Sequence, residues 1–335
     1  MSLHFIESSV LQGDTLWLLY STGVLHPKGR LFSLDLNTGQ MEEITFPSSE
    51  AIEQFCILSG GAVLIATSNR ELWQYSPDRV TFITRLPGSS LPELLEEYGL
   101  DNQSTLHKVF QSGMVKGQGC PIFRDRIHSL VPRDDGVMIL TSSSVLEYNL
   151  ASGTWKTVPL LHFIPKAMRM PAFSTNDGYF YQGTCLGEDG GDLKRINTKT
   201  GAIDILYEGT QVTSVIRDPW NRDSALFSTG TWHMGLNRGG IYRAVEGRES
   251  FFSGKAVYSI TSDSNDVIAA APDGVHRITN GLSERYDYPD HRLYDGIGVV
   301  TDKRFGTFVL TDIYRSQMVC GSVPLFAESG DESLG

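Results

Sequence analysis

The sequence predicts an all-β fold, a seven-bladed β-propeller of four-stranded antiparallel blades, with six blades as the alternative. Three observations carry this prediction. One hairpin unit recurs along the chain, two further strand candidates precede nearly every copy, and the spacing of the copies matches a blade. The hairpins read LFSLDLNTGQMEEIT (31–45), LWQYSPDRVTFITRL (72–86), VLEYNLASGTWKTVP (145–159), LKRINTKTGAIDILY (193–207), IYRAVEGRESFFSG (241–254) and VHRITNGLSERYDY (275–288). Each alternates apolar and polar residues, turns through Asn, Asp, Ser or Gly, and alternates again, which is the hairpin pattern. In the turns ending at Gly39, Gly153 and Gly201, glycine supplies the positive φ required.

The inner pairs come in chain order. First members are HFIES (4–8), QFCIL (54–58), IHSLV (127–131), AFSTN (172–176), TSVIR (213–217), VYSIT (257–261) and IGVVT (297–301). Second members, which read as buried strands, are LWLLY (16–20), AVLIA (62–66), VMILT (137–141), YFYQG (179–183), ALFST (225–229), VIAAA (267–271) and TFVLT (307–311). A seventh outer hairpin is expected from 312–326, with its last strand undefined. Setting aside an insertion at 87–121 leaves about 43 residues per unit, inside the range for four-stranded blades. Radial packing buries both faces of each sheet against its neighbours. The chain is therefore read as one domain over 1–335.

The insertion, taken as 87–125, reads as helical. Leu91, Leu94, Leu95 and Tyr98 recur at helix spacing, Pro92 suits a first turn and Gly99 a C-terminal cap. It stands between blades 2 and 3 on the face of the B–C and D–A connections, where it would be a lid or a packed decoration.

LFSLDLNTG and LKRINTKTG resemble the outer hairpin of quinoprotein-type repeats. GTFVLTDIYRSQM (306–318) and SALFSTGTWHMGLNRGGIYR (224–243) are similar to repeats of NHL and SMP-30-like propellers. These resemblances imply a propeller fold and a site at one end of its central channel; they specify no activity. The WD dipeptide, the kelch double glycine and the sialidase Asp-box are missing.

Charge narrows the partners. Lys and Arg number 28 against 39 Asp and Glu, a net charge of −11. So acidic a chain repels phosphate backbones and anionic membranes, so neither nucleic acid nor membrane is expected. The N-terminal residues lack a basic and apolar leader pattern, no apolar run is long enough to span a bilayer, and Cys56, Cys120, Cys185 and Cys320 form no CxxC. Reduced thiols and a cytoplasmic location are expected.

With strands A to D running outward from the axis, the B–C and D–A connections share one end. The long segments 21–30, 182–192, 228–240, 87–125, 160–169 and 288–295 all fall there, which makes that end the candidate functional face. Candidate catalytic groups are His233, His162, Tyr294 and Asp295, as general acids or bases. Candidate substrate-binding groups are Trp232, Arg238, Arg292, His291, His26 and Arg169. His107, Lys28, Lys166, Glu188, Asp189 and Asp192 share the face. Trp17, Trp73 and Trp155 are expected in the core.

No metal site or cofactor is assigned. A divalent metal held by His26, His162, His233 and His291, or calcium by Glu188, Asp189 and Asp192, is a secondary reading without motif spacing. There is no GxSxG, no phosphate loop, and no signal for a Ser-His-Asp arrangement. The expected function is small-molecule binding, in an enzyme of hydrolase, lyase or cyclase type by analogy of fold. A noncatalytic protein-interaction scaffold is the alternative.

Overall fold

The computed structural model describes residues 4–22, 28–47, 51–77, 79–87, 125–162, 164, 170–175, 178–186, 190–233, 236–245, 249–279, 281–288, 296–302, 304, 306–311 and 320–323. Over these the chain is all-β, in seven antiparallel sheets whose strands follow one another in sequence order. Blade 1 is β1 (His4–Gln12), β2 (Thr15–Thr22), β3 (Lys28–Asp35) and β4 (Met41–Glu43). Blade 2 is β5 (Ile52–Ile57), β6 (Val63–Thr67), β7 (Glu71–Ser76) and β8 (Arg79–Arg85). Blade 3 is β9 (Ile127–Arg133), β10 (Gly136–Thr141), β11 (Ser144–Asn149) and β12 (Thr154–Pro159). Blade 4 is β13 (Ala172–Ser174), β14 (Tyr179–Gly183), β15 (Gly191–Asn197) and β16 (Ile203–Gly209). Blade 5 is β17 (Val212–Arg217), β18 (Ala225–His233), β19 (Leu236–Arg243) and β20 (Ser250–Ser253). Blade 6 is β21 (Ser259–Asp263), β22 (Asp266–Ala271), β23 (Gly274–Thr279) and β24 (Leu282–Tyr286). Blade 7 has three strands among the described residues: β25 (Gly296–Asp302), β26 (Gly306–Thr311) and β27 (Cys320–Val323). The expectation of seven blades holds, and six is excluded. The predicted helical insertion lies outside the described residues, apart from its ends.

Alternation on the second strand of each blade builds the ring. Val63 and Ile65 of β6 pack toward blade 1 with Trp17, Leu19 and Leu31, while Leu64 and Ala66 pack toward blade 3 with Val137, Ile139 and Leu146. The same division recurs on β10, where Met138 and Leu140 turn from blade 2 toward Phe180 and Ile196 of blade 4. On β22, Val267 and Ala269 meet blade 5 and Ile268 and Ala270 meet blade 7. A strand buried on both faces must be apolar throughout, which is why these strands read as unbroken runs. Each fully buried Leu or Ile contributes about 1.5–3 kcal/mol of transfer free energy.

One apolar cluster sits between each pair of adjacent blades. Ile6, Leu16 and Leu18 of blade 1 meet Val300 and Leu310 of blade 7, so the last blade packs directly onto the first. At the end bearing the A–B turns, Arg304 reaches from blade 7 to Asp14, at 2.6 Å, and to the Gly13 carbonyl, at 3.1 Å. First strands touch first strands around the axis: β5 against β9, β21 against β25 and β25 against β1.

The C–D turns repeat one chemistry. Asp35 Oδ1 accepts the N–H groups of Asn37 and Thr38, Asn149 Oδ1 that of Ser152, and Asn197 Oδ1 those of Lys199 and Thr200. Each turn closes on a glycine with positive φ, +71° at Gly39, +68° at Gly153 and +72° at Gly201, as its sequence requires.

One connection differs from expectation. Residues 228–240 are no long loop: β18 and β19 continue as a ladder to His233 opposite Leu236. The A–B connection of blade 5, 218–224, is long and lies at the opposite end, where Trp220 Nε1 donates to the Asn265 carbonyl of blade 6 at 2.7 Å. Of the tryptophans expected in the core, Trp17 is buried, whereas Trp73 and Trp155 are half-buried on outer strands.

Candidate functional site

Strand pairing next to the axis is irregular in a patterned way. The register of first strand against second slips by one residue at Glu7, Glu53, His128, Thr213 and Ile297, at the same level of five blades. Each slip is a β-bulge, which re-aims a side chain at the end of a strand. Three of the bulged side chains, those of Glu53, Thr213 and His128, reach forward toward the next blade. Glu53, only 8% exposed, accepts the Ile127 N–H at 2.8 Å and Arg126 Nη1 at 2.9 Å. Thr213 Oγ1 donates to the Val257 carbonyl at 2.7 Å. His128, fully buried, donates from Nε2 to the Ile164 carbonyl at 3.0 Å in the link to blade 4. That bond places the proton on Nε2.

Inside this ring lies an axial cavity of about 310 Å³. It is bounded by first-strand residues of blades 1 to 5, among them Glu7, Ser8, Gln54, Cys56, Ser129, Ala172 and Thr213, with Met170 and Pro171 from the approach to β13. Glu7 is the one charged residue among the described residues that line it. Burial pushes the Cys56 thiol up to about 12, so it is uncharged at neutral pH and acts as a polarizable wall rather than a nucleophile. The lining combines an apolar wall with convergent hydroxyl, amide and carboxylate groups, which suits orientation of a small polar molecule.

Of the residues expected at the loop-rich end, His26, Arg169, His291, Arg292, Tyr294 and Asp295 lie outside the described residues, as do His107, Lys166, Glu188 and Asp189. Trp232 and His233 lie on β18, opposite Asn237 and Leu236, at the B–C tip of blade 5; Arg238 on β19 is exposed there. His162 is exposed beside Leu161, whose N–H donates to the Gly201 carbonyl in the C–D turn of blade 4. The link to blade 4 thus runs along the outer strands at His162. Asp192 receives Thr184 Oγ1 at 2.5 Å and pairs with Lys194. Among the described residues, no three His, Cys, Asp or Glu side chains gather as a metal would need.

The cavity polar groups were not among the sequence candidates, although a signal for them exists. Ile52-Glu53-Gln54-Phe55, Ile127-His128-Ser129-Leu130 and Val212-Thr213-Ser214-Val215 each set two polar residues between apolar ones, and Ile6-Glu7-Ser8-Ser9-Val10 sets three. A doubled polar residue breaks the two-residue period by one position, as a bulge demands.

No protein-family model matches the chain, and no curated protein matches it in sequence. Solved structures match in fold. YCF48 bound to D1 peptide aligns with a TM-score of 0.57 and 11% identity, over 97% of this chain and 96% of that one. The extracellular domains of the putative hybrid two component system BT3049 and the putative one component system BT4673, both from B. thetaiotaomicron, align with TM-scores of 0.55 and 0.53 at 13% identity. They are covered over 97% and 93% of this chain, which spans 42% and 37% of their length. At such identities the likeness defines the class, a seven-bladed β-propeller of generic repeat type, and nothing finer.

Proposed function

We propose that this propeller is a binding protein that takes a small polar organic molecule into its axial cavity from the end bearing the B–C and D–A connections. The observation that carries the reading is the cavity itself. Its volume of about 310 Å³ falls at the lower end of the range for small-molecule sites, roughly 300–1,000 Å³. The bulged first strands aim polar groups at it from several blades, which is how a rigid ring orients a ligand. His26, Arg169, Trp232, His233, Arg238, His291, Arg292, Tyr294 and Asp295 are proposed to flank the entrance, because their connections share that end. A hydrolase, lyase or cyclase step there, with His233, Tyr294 and Asp295 as acids and bases, is an extension that fold analogy alone supports.

A second reading, protein docking at the same end, is favoured by the exposed Leu186 and Leu236 on the B–C connections of adjacent blades 4 and 5. The neighbour bound to a D1 peptide belongs to this reading only through its fold.

The test is a thermal-shift panel of metabolites, run with and without divalent metals and with EDTA. Ligand binding raises the midpoint in proportion to RT ln(1 + [L]/Kd). A metabolite-specific, saturable rise supports small-molecule binding. Silence across the panel removes it and leaves the docking surface.

A further inference from the structure

Blade 6 carries an array of side chains that the axial cavity does not use. On the β23–β24 ladder His276 stands opposite Arg285, so both share one face of the hairpin with Ser283, two residues before Arg285. His276 Nε2 lies 3.1 Å from Asp273 Oδ1, and its Nδ1 lies 3.1 Å from Ser283 Oγ. Asp273, in the B–C turn, also pairs with Lys255, and Arg285 Nη1 stands 3.8 Å from it. The ring of Phe252 from blade 5 packs on the imidazole at 4.8 Å between centroids. His276 is 4% exposed, whereas Ser283 is open to solvent.

The tautomer follows from the partners. An ionised carboxylate only accepts, so the proton sits on Nε2 and points at Asp273. The Nδ1 lone pair then faces Ser283, whose hydroxyl donates to it. Nucleophile and base are within hydrogen-bond reach, and a third group orients the base, which is the general arrangement of an activated hydroxyl. Burial lowers the His276 pKa against the opposing pull of Asp273, so the ring is a neutral base at neutral pH.

We propose that Ser283 is an activated nucleophile for acyl transfer from carboxylic esters presented from solvent, with His276 as general base and Asp273 as its positioning residue. Ser283 Oγ bonds to the ester carbonyl carbon as its proton passes to His276 Nδ1. The C–O bond to the alcohol breaks, and the leaving alkoxide takes that proton from Nδ1. Water then attacks the acyl-serine, losing a proton to Nδ1, and Ser283 Oγ leaves and recovers it. Arg285, on the same face, meets the carbonyl oxygen as negative charge builds there.

The experiment treats the full chain with a fluorophosphonate probe and maps adducts by mass spectrometry. The probe phosphorylates Oγ, with fluoride and the serine proton leaving. An adduct at Ser283 that forms about 100-fold more slowly in His276→Gln, with the urea midpoint unchanged, supports the relay. No adduct at Ser283, or equal rates in the two proteins, overturns it and leaves the array as a clamp between blades 5 and 6. A second readout needs only wild-type protein. A neutral base predicts a labelling rate flat around neutrality and falling in acid; a rate climbing about tenfold per pH unit through neutrality, as for an unassisted hydroxyl, overturns the proposal.

Discussion

The Glu53 carboxylate of blade 2 accepts the backbone N–H of Ile127, the residue that opens blade 3, at 2.8 Å, and holds the Arg126 guanidinium with its other oxygen. One bulged residue thus satisfies a buried and a half-buried donor of the next blade. Glu53→Ala leaves both without it. Removing one member of such a buried pair costs about 3–5 kcal/mol. Glu53→Gln keeps an acceptor for Ile127 and loses the ionic bond alone, so it should cost less than half as much. Urea unfolding of the two variants checks the order; equal costs contradict the role given to the backbone bond.

Closure of the ring should be apolar. Leu310 is 1% exposed in the cluster shared by blades 7 and 1, and Leu310→Ala is expected to cost about 2–5 kcal/mol. Arg304 and Asp14 are 56% and 43% exposed, so Arg304→Ala should cost less than about 1 kcal/mol. Denaturant midpoints for both variants decide it, and the reverse order would contradict closure by packing.

Gly29 marks a place where two blades nearly touch. A Cβ there would stand 1.8 Å from the Ile52 carbonyl oxygen, which opens blade 2. Backbone on both sides leaves no flexible atom to yield, so Gly29→Ala should lower stability by more than about 2 kcal/mol. Gly13, with open space around a Cβ at φ +58°, should cost about 1 kcal/mol on the same change, through backbone strain alone.

Acid should loosen blade 6 first. Burial holds His276 below its ordinary value of 6.5. Below pH 6.5 an unfolded chain takes up a proton that the folded one resists, so stability is full above that value and falls as pH drops beneath it. Asp273 is depressed: burial would raise it, but the hydrogen bonds and charge attraction from Lys255 and His276 together outweigh that. Its contribution persists until pH falls below the carboxylate range. In His276→Gln the slope between about pH 5 and 6.5 should flatten, as read from urea midpoints. An unchanged slope contradicts the assignment.

Much of this architecture is legible in the residues. Stretches such as 137–140 and 267–270 are apolar throughout because each is pressed between two blades. Turn glycines at 39, 153 and 201 declare the outer hairpins. The segment 228–240 misleads because Gly230 and Gly239 look like loop breakers. They are there for close approach: a Cβ on Gly230 would meet the Val257 oxygen at 2.6 Å, and one on Gly239 the Thr229 oxygen at 2.1 Å. The axial polar residues are hidden for another reason. Glu53 and His128 follow apolar neighbours in strands that alternate imperfectly, and only pairing across the sheet reveals the slipped residue. His276, Asp273 and Ser283 come together through a turn and a cross-strand diagonal, which no linear spacing announces.

The central claim is that a ligand occupies the axial cavity. Its most direct test compares wild type with Ala172→Phe, which places a ring at the cavity wall formed by β13. For any metabolite that raises the wild-type melting midpoint, the variant should fold with a similar midpoint and show no rise. A rise of equal size in Ala172→Phe would place the ligand elsewhere and contradict the account.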